Sequence, residues 1–304
     1  MFSRINDNLL NKDSTDSWTV SWIDINQDGY DDLFVTDKRY NASNFIYMNN
    51  QNGGFVRGQS LLQDTAMSMT NTWADVDNDG DPDLLVLNNT RKPNTFYRNN
   101  NGQLTKDNSP AFTQSISYYH GGSFADYDND GNVDLFLCNY FPTRFNELYR
   151  NNGNGVYLKE LANAIPAEAN QSVGATWADY DKDGFPDLFV PNGTGYTNSL
   201  FHNEGNGRFS KTTGIVSSEG GNSVGSCWGD YDNDGDLDLY VTNANSTGNF
   251  LYRNDGNGVF TKITNSVTVT DKGNSHGCSF ADIDNDGDLD LYVTNDKLFK
   301  FLYL

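Results

Sequence analysis

The chain alternates short apolar runs with polar turns, and no apolar run approaches the ~20 residues needed to span a bilayer. Runs such as Leu135-Phe136-Leu137 and Leu239-Tyr240-Val241-Thr242 are rich in strand formers and bounded by Gly, Asn and Asp. They recur in a fixed order. A first strand ends in an aromatic: Trp22, Trp73, Phe124, Trp177, Trp228 or Phe280. An acidic turn leads to a second strand, and a variable loop leads to a third. The third strands are Phe45-Ile46-Tyr47, Phe96-Tyr97-Arg98, Leu148-Tyr149-Arg150, Leu200-Phe201-His202 and Phe250-Leu251-Tyr252. Next come Gly/Asn turns such as Asn152-Gly153-Asn154-Gly155 and Asp255-Gly256-Asn257-Gly258, residues that accept the positive φ of tight hairpins. A fourth strand, as in Val259-Phe260-Thr261-Lys262, completes the unit.

The acidic turns begin at Asp24, Asp75, Asp126, Asp179, Asp230 and Asp282, with gaps of 51, 51, 53, 51 and 52 residues. Four short antiparallel strands at this period predict an all-β fold, a β-propeller of six four-stranded blades in one domain over 1–304. Phe2-Ser3-Arg4 reads as a fourth strand, since Phe2 lies 20 residues before Trp22 as Phe260 lies 20 before Phe280. Phe301-Leu302-Tyr303 reads as a third strand, so the first strand would complete the last blade and close the ring. The competing reading is a fragment of a seven-bladed propeller.

Each acidic turn reads D-x-[DN]-x-D-G-x-x-D-L. Oxygen ligands at alternate positions around a Gly-made bend suit a hard cation such as Ca²⁺. The predicted ligands are positions one, three, five and nine, with the carbonyl of position seven. In the first turn these are Asp24, Asn26, Asp28, Asp32 and Tyr30; in the second, Asp75, Asp77, Asp79, Asp83 and Asp81. The third supplies Asp126, Asp128, Asp130, Asp134 and Asn132, and the fourth Asp179, Asp181, Asp183, Asp187 and Phe185. The fifth has Asp230, Asp232, Asp234, Asp238 and Asp236, and the sixth Asp282, Asp284, Asp286, Asp290 and Asp288. Four carboxylates so close repel one another unless a cation or proton joins them. An EF-hand opens in the same way but needs a bidentate Glu at position twelve and flanking helices. Position twelve is here Val35, Val86, Leu137, Val190, Val241 or Val293, and strand formers follow.

Net charge is −21, and the turns hold 23 ligand carboxylates among 41 acidic residues. Six Ca²⁺ would add +12 and leave −9, so the acidity is mainly metal-site chemistry. It opposes a nucleic-acid partner, which would want a basic face. Cys138, Cys227 and Cys278 make no even disulfide framework and read as buried free thiols in strands. Met1-Phe2-Ser3-Arg4 opens no signal peptide, so an exported protein would carry this chain as a fragment. Five N-x-[ST] sequons (Asn41, Asn88, Asn170, Asn192 and Asn245) are what an Asn-rich chain yields by chance. There is no nucleophile elbow and no H-E-x-x-H, and no catalytic residue is assigned.

The run W-x-D-x-D-x-D-G-x-x-D-L, with the later L-Y-R-N-x-G-N-G-x-F, resembles FG-GAP/VCBS-type repeats across essentially the whole chain. These are the repeats of the integrin α-subunit propeller and of secreted proteins such as the cartilage acidic protein group. The resemblance implies Ca²⁺ in the hairpin between strands one and two, a secreted or cell-surface setting, and adhesion or recognition of a glycan or protein. Asn26 departs from the acidic pattern and implies a weaker first site. The family's ligand face lies opposite the Ca²⁺ hairpins. The loops that vary most here are 37–44, 88–94, 139–146, 191–198 and 243–249. Tyr40, Arg91, Tyr140, Phe141, Arg144 and Tyr196 offer stacking and hydrogen-bonding groups there. Six residues before each first Asp stand Trp18, Met69, His120, Val173, Val224 and His276. The repeat would set them as a ring near a central channel, with His120 and His276 as further candidates for a metal or anion. His202 stands where other units mostly have Arg and reads as structural. Two rival readings are a polysaccharide lyase or glycosidase on a propeller scaffold, and a spacer domain of a larger secreted protein.

Overall fold

The computed structural model describes residues 9–10, 16–40, 42–61, 67–89, 92–141, 145–160, 165, 168–245, 248–296 and 301–303. Its strands form six antiparallel sheets in sequence order. The first holds Ser17–Ile23, Asp32–Asp37, Phe45–Asn49 and Phe55–Arg57, and the second Ser68–Ala74, Asp83–Asn88, Thr95–Arg98 and Thr105–Lys106. The third holds Tyr119–Ala125, Asp134–Asn139, Glu147–Asn151 and Tyr157–Lys159. The fourth holds Thr176–Ala178, Asp187–Val190, Ser199–Asn203 and Phe209–Lys211. Ser223–Gly229, Asp238–Asn243, Phe250–Asn254 and Phe260–Ile263 form the fifth. Ser275–Ala281, Asp290–Asn295 and Phe301–Tyr303 form the sixth, which has three strands among the described residues. These are the blades of a β-propeller. Phe2-Ser3-Arg4, expected as a closing strand, lies outside the described residues.

Two compact units can be drawn, one of residues 1–124 and 149–159, the other of 125–148 and 160–304. Within each, the core lies between stacked sheets. In sheets one to five the second strand is buried on both faces, so it reads as a continuous apolar run and its alternate residues face opposite neighbours. In the first unit Phe34 and Ile46 of sheet one pack with Leu84, Val86 and Tyr97 of sheet two. In the second unit Leu239 and Val241 pack with Phe189 and Leu200 of sheet four. Tyr240, between them in sequence, packs with Leu291 and Val293 of sheet six.

Tryptophans that end the first strands of sheets two, four and five lock their sheets to a neighbour. Trp73 meets Phe34 edge-on at 5.6 Å, and Trp228 meets Phe189 edge-on at 6.4 Å. Fourth-strand aromatics wedge in beside them. Phe260 lies 5.5 Å from Tyr180 and 6.2 Å from Trp228, and Phe209 lies 5.5 Å from Tyr127 and 5.9 Å from Trp177. The strand pattern did not announce three short helical turns in the connections after fourth strands: Ala111–Thr113, Ile215–Ser218 and Val267–Thr270. They place Phe112 and Val216 in the core. The cysteines are free; Cys138 is buried, and Cys227 and Cys278 are half-buried. Among the described residues no helix is long and apolar enough to cross a membrane.

Candidate functional site

The six acidic turns become hairpins between first and second strands, built alike from the backbone outward. Position four (Gln27, Asn78, Asn129, Lys182, Asn233 and Asn285) is left-handed with φ of 55 to 63°, a region Asn tolerates better than most residues. The position-six glycines follow with φ of 85 to 96°. The resulting bend turns backbone N–H groups inward. In the second hairpin the Asp79 and Gly80 N–H groups donate to Asp75 Oδ1 and Oδ2 at 3.1 and 2.8 Å. The Asp81 N–H donates to Asp79 Oδ1 at 3.0 Å. The same three bonds recur at Asp24 and Asp28, Asp126 and Asp130, Asp179 and Asp183, Asp230 and Asp234, and Asp282 and Asp286.

Position nine anchors the hairpin from below. Asp83 Oδ2 accepts from the Val76 N–H at 3.3 Å and Oδ1 from the Asn99 N–H at 2.7 Å. Asp187 and Asp238 accept in the same way from Tyr180 and Asn203, and from Tyr231 and Asn254. In sheets two to five the asparagine that closes the third strand also reaches back to an earlier hairpin. Asn99 Nδ2 donates to the Ile25 carbonyl, Asn151 to Val76, Asn203 to Tyr127 and Asn254 to Tyr180, at 2.7 to 2.8 Å. Position four reaches forward instead. Gln27 donates to the Gly80 carbonyl and Asp81, Asn129 to the Gly184 carbonyl, and Asn233 to Asp288, while Lys182 pairs with Asp236 at 2.7 Å. Within each unit, hairpins are therefore latched in series.

Carboxylate oxygens converge in these loops. Those of Asp75, Asp77 and Asp79, of Asp126, Asp128 and Asp134, of Asp179, Asp181 and Asp183, and of Asp230, Asp232 and Asp234 lie within 4.8 Å of one another. Ligands 2.3–2.6 Å from one calcium ion would be at most about 5 Å apart. Asp77 Oδ1 and Asp181 Oδ1 are buried with no hydrogen-bond partner. A buried carboxylate oxygen without a donor is costly, and a cation would remove the cost. The residues present fit a hard divalent cation. Burial, more than mutual repulsion, pushes the position-nine carboxyls of Asp83, Asp187 and Asp238 up to about 7. Burial also raises Asp77, Asp181 and Asp232, whereas Asp284 is raised first by the charge of Asp286.

The hairpins differ in what the third strand and the turn after it set beside them. In the first, Gln51 donates to Asp28 at 3.0 Å and lowers its pKa, and the Asn26 amide donates to the same oxygen at 3.2 Å. In the second, Arg98 pairs with Asp77 at 2.8 Å and Asp107 at 3.2 Å. In the fourth, His202 Nδ1 lies 3.2 Å from Asp181 Oδ2 and 3.1 Å from Asp187 Oδ1. In the fifth, Arg253 pairs with Asp255 at 2.6 Å. The sequence pattern marked His202 as the exception to Arg but did not place it among carboxylates. The position-four latches and third-strand asparagines were likewise missed, although their recurrence was visible at Asn78, Asn129, Asn233 and Asn285 and in the L-Y-R-N runs.

The residues proposed for ligand binding differ in exposure. Tyr40 and Phe141 are exposed, and Tyr140 and Tyr196 half-buried. Arg91 and Arg144 lie outside the described residues. His120 sits in a first strand with Nε2 3.0 Å from Asn89 Nδ2, and burial lowers its pKa to about 4. His276 holds the same place in sheet six, where its carbonyl accepts from the Thr242 hydroxyl at 2.9 Å. At the base of each variable loop an asparagine side chain accepts from the end of the second strand: Asn44 from Asp37, Asn94 from Asn88, Asn146 from Asn139, Asn198 from Asn192 and Asn249 from Asn243, at 2.8 to 3.2 Å. A cavity of ≈ 380 Å³ lined by Tyr231, Asp232, Asn233, Phe280, Asp288 and Tyr303, among others, opens beside the acidic hairpins and not at these loops.

Comparison with curated protein sequences finds no match. Solved structures share the fold. An Agrocybe aegerita lectin, described as recognising non-reducing terminal N-acetylglucosamine, is 19% identical with a TM-score of 0.54, over 83% of this chain and 67% of its own. The BBS1N chain in a complex with ARL6DN is 13% identical with a TM-score of 0.60, over 95% and 80%. An auxiliary nutrient binding protein from Bacteroides ovatus is 12% identical with a TM-score of 0.54, over 91% and 66%. The FG-GAP-like repeat model matches residues 24–86, 75–137, 126–190, 192–241 and 230–293, tiling the acidic hairpins and the sheets they join. The chain belongs to the FG-GAP-like repeat family.

Proposed function

We propose that this protein is a calcium-stabilised extracellular propeller that recognises a glycan or protein through the loops between second and third strands. One observation carries the metal reading: in hairpin after hairpin, carboxylate oxygens converge within one coordination sphere, and two of them are buried without a donor. In that reading the carboxylates at positions one, three, five and nine hold Ca²⁺ with the position-seven carbonyl, about six ions per chain. Calcium neutralises the converging charge and holds first and second strands together. The chain's own contribution is the preset bend, since backbone N–H groups fix the position-one and position-five carboxylates before any ion arrives.

Recognition falls to the loops because they vary while the hairpins repeat. Tyr40 and Phe141 are exposed aromatics there, suited to stacking on a sugar ring or a peptide side chain. The lectin neighbour shows that such a fold supports glycan recognition; at 19% identity its sugar does not transfer. Two measurements test the reading. A thermal melt in ~2 mM Ca²⁺ is compared with one in chelator, with calcium counted by elemental analysis. A site with Kd ~10⁻⁴ M then adds roughly 1.8 kcal/mol, and six should separate the melts by ~10 °C or more. Coincident melts with no bound calcium would sink the metal reading. A glycan and protein array, repeated with Tyr40→Ala and Phe141→Ala, tests recognition; binding that ignores both changes would move it away from these loops.

A further inference from the structure

We propose that the fourth hairpin takes a divalent transition metal of the zinc class, with His202 as its nitrogen ligand, while the other hairpins keep calcium. The proposal rests on the reading of the hairpins as cation sites and departs from it at this one. His202 Nδ1, Asp181 and Asp187 present three donor atoms within 4.8 Å of one another. Nδ1 is 3.1 Å from Asp187 Oδ1 and 3.2 Å from Asp181 Oδ2. Ligands of a four-coordinate zinc ion, bound at about 2.0–2.2 Å, stand about 3.4 Å apart. The donors thus need only small shifts to share an ion.

The surroundings hold these donors in place. Asp187 is fully buried and fixed by the Tyr180 and Asn203 N–H groups. Asp181 Oδ1 is buried with no hydrogen-bond partner. The imidazole is set edge-on to Tyr180 at 6.4 Å, and its Nε2 faces Asp183 Oδ2 at 4.0 Å. Calcium takes oxygen ligands, whereas imidazole favours zinc and its neighbours. The corresponding third-strand residues supply no nitrogen ligand: Met48 has none, and the guanidinium of Arg98 or Arg253 stays protonated.

The test uses the full chain in saturating calcium, titrated with Co²⁺ as a coloured stand-in for zinc. One Co²⁺ per chain is expected to bind despite the calcium, with visible ligand-field bands, and one Zn²⁺ should displace it. His202→Gln should weaken cobalt at least about tenfold, and His202→Arg should abolish it. Both should leave the calcium of the other hairpins in place, and His276→Gln should bind cobalt as the parent does. X-ray absorption on the zinc-loaded parent, which needs no variant to fold, should report one imidazole nitrogen among oxygens. An all-oxygen shell, no cobalt uptake in calcium, or an unaffected His202→Gln would overturn the proposal. Cobalt at His202 without calcium elsewhere would instead sink the calcium reading and leave this one standing.

Discussion

The two ends of each second strand follow different rules. At the hairpin end a ten-residue loop recurs six times with a left-handed residue at the same position, the same glycine and the same three N–H bonds to carboxylates. At the other end only the base recurs, where an asparagine such as Asn44, Asn94 or Asn249 accepts from the strand's last N–H. Above that base, loops 37–44, 88–94 and 243–249, seven or eight residues long, differ in sequence. Repetition marks the end where geometry must be reproduced, because converging carboxylates are tolerable in only one arrangement. The variable end carries no such constraint, and binding specificity can be built there on a fixed footing.

Four experiments would break or sharpen this contrast. The largest effect is expected from pH in chelator. Asp83, Asp187 and Asp238 have carboxyls raised from 3.8 to about 7, chiefly by burial. A raised folded-state pKa favours the protonated native state, so this stability is fully present below the unfolded value and is lost as pH rises through about 7. The calcium-free melt should therefore rise by about 10 °C between pH 8 and pH 5. The increment due to calcium should shrink over the same range, because protons compete for the ligands. Calorimetry with and without calcium reads both; a calcium-free melt that falls on acidification would contradict the burial of position nine.

Next is the third-strand asparagine. Asn254→Ala removes Nδ2 bonds to the Tyr180 and Leu237 carbonyls, and the Oδ1 bond from Gly256, from a buried site. About 2–4 kcal/mol of stability should be lost, read from urea midpoints in saturating calcium. A loss under ~0.5 kcal/mol would mean that the clamps are ornamental. Third, Asp234→Ala should remove one calcium per chain and roughly 1.8 kcal/mol, with the other hairpins still loaded. Unchanged stoichiometry by calorimetric titration would remove this loop from the ligand set. The smallest stability effect belongs to the variable end: Phe141→Ala should shift stability by no more than ~0.5 kcal/mol while weakening ligand capture. A large loss of stability there would make Phe141 part of the frame.

The sequence by itself determined the number of sheets, their strand order and the hairpins that carry the acid, because period, alternation and turn chemistry are local properties written six times. It determined that Leu239 and Tyr240 are both buried, since an apolar run without alternation needs cover on both faces. It left to the tertiary structure which residues from elsewhere in the chain meet each hairpin. Arg98 comes to Asp77 across 21 residues, His202 to Asp187 across 15 and Asn254 to the Tyr180 carbonyl across 74. None of these separations is set by a turn or a strand period; each follows from how a third strand pairs in its own sheet and how one sheet stacks on the next. The physical reason is the range of the forces. Backbone preferences act over a few residues and repeat with them, whereas charge and hydrogen-bond partners are chosen only after packing has brought distant segments within about 3 Å.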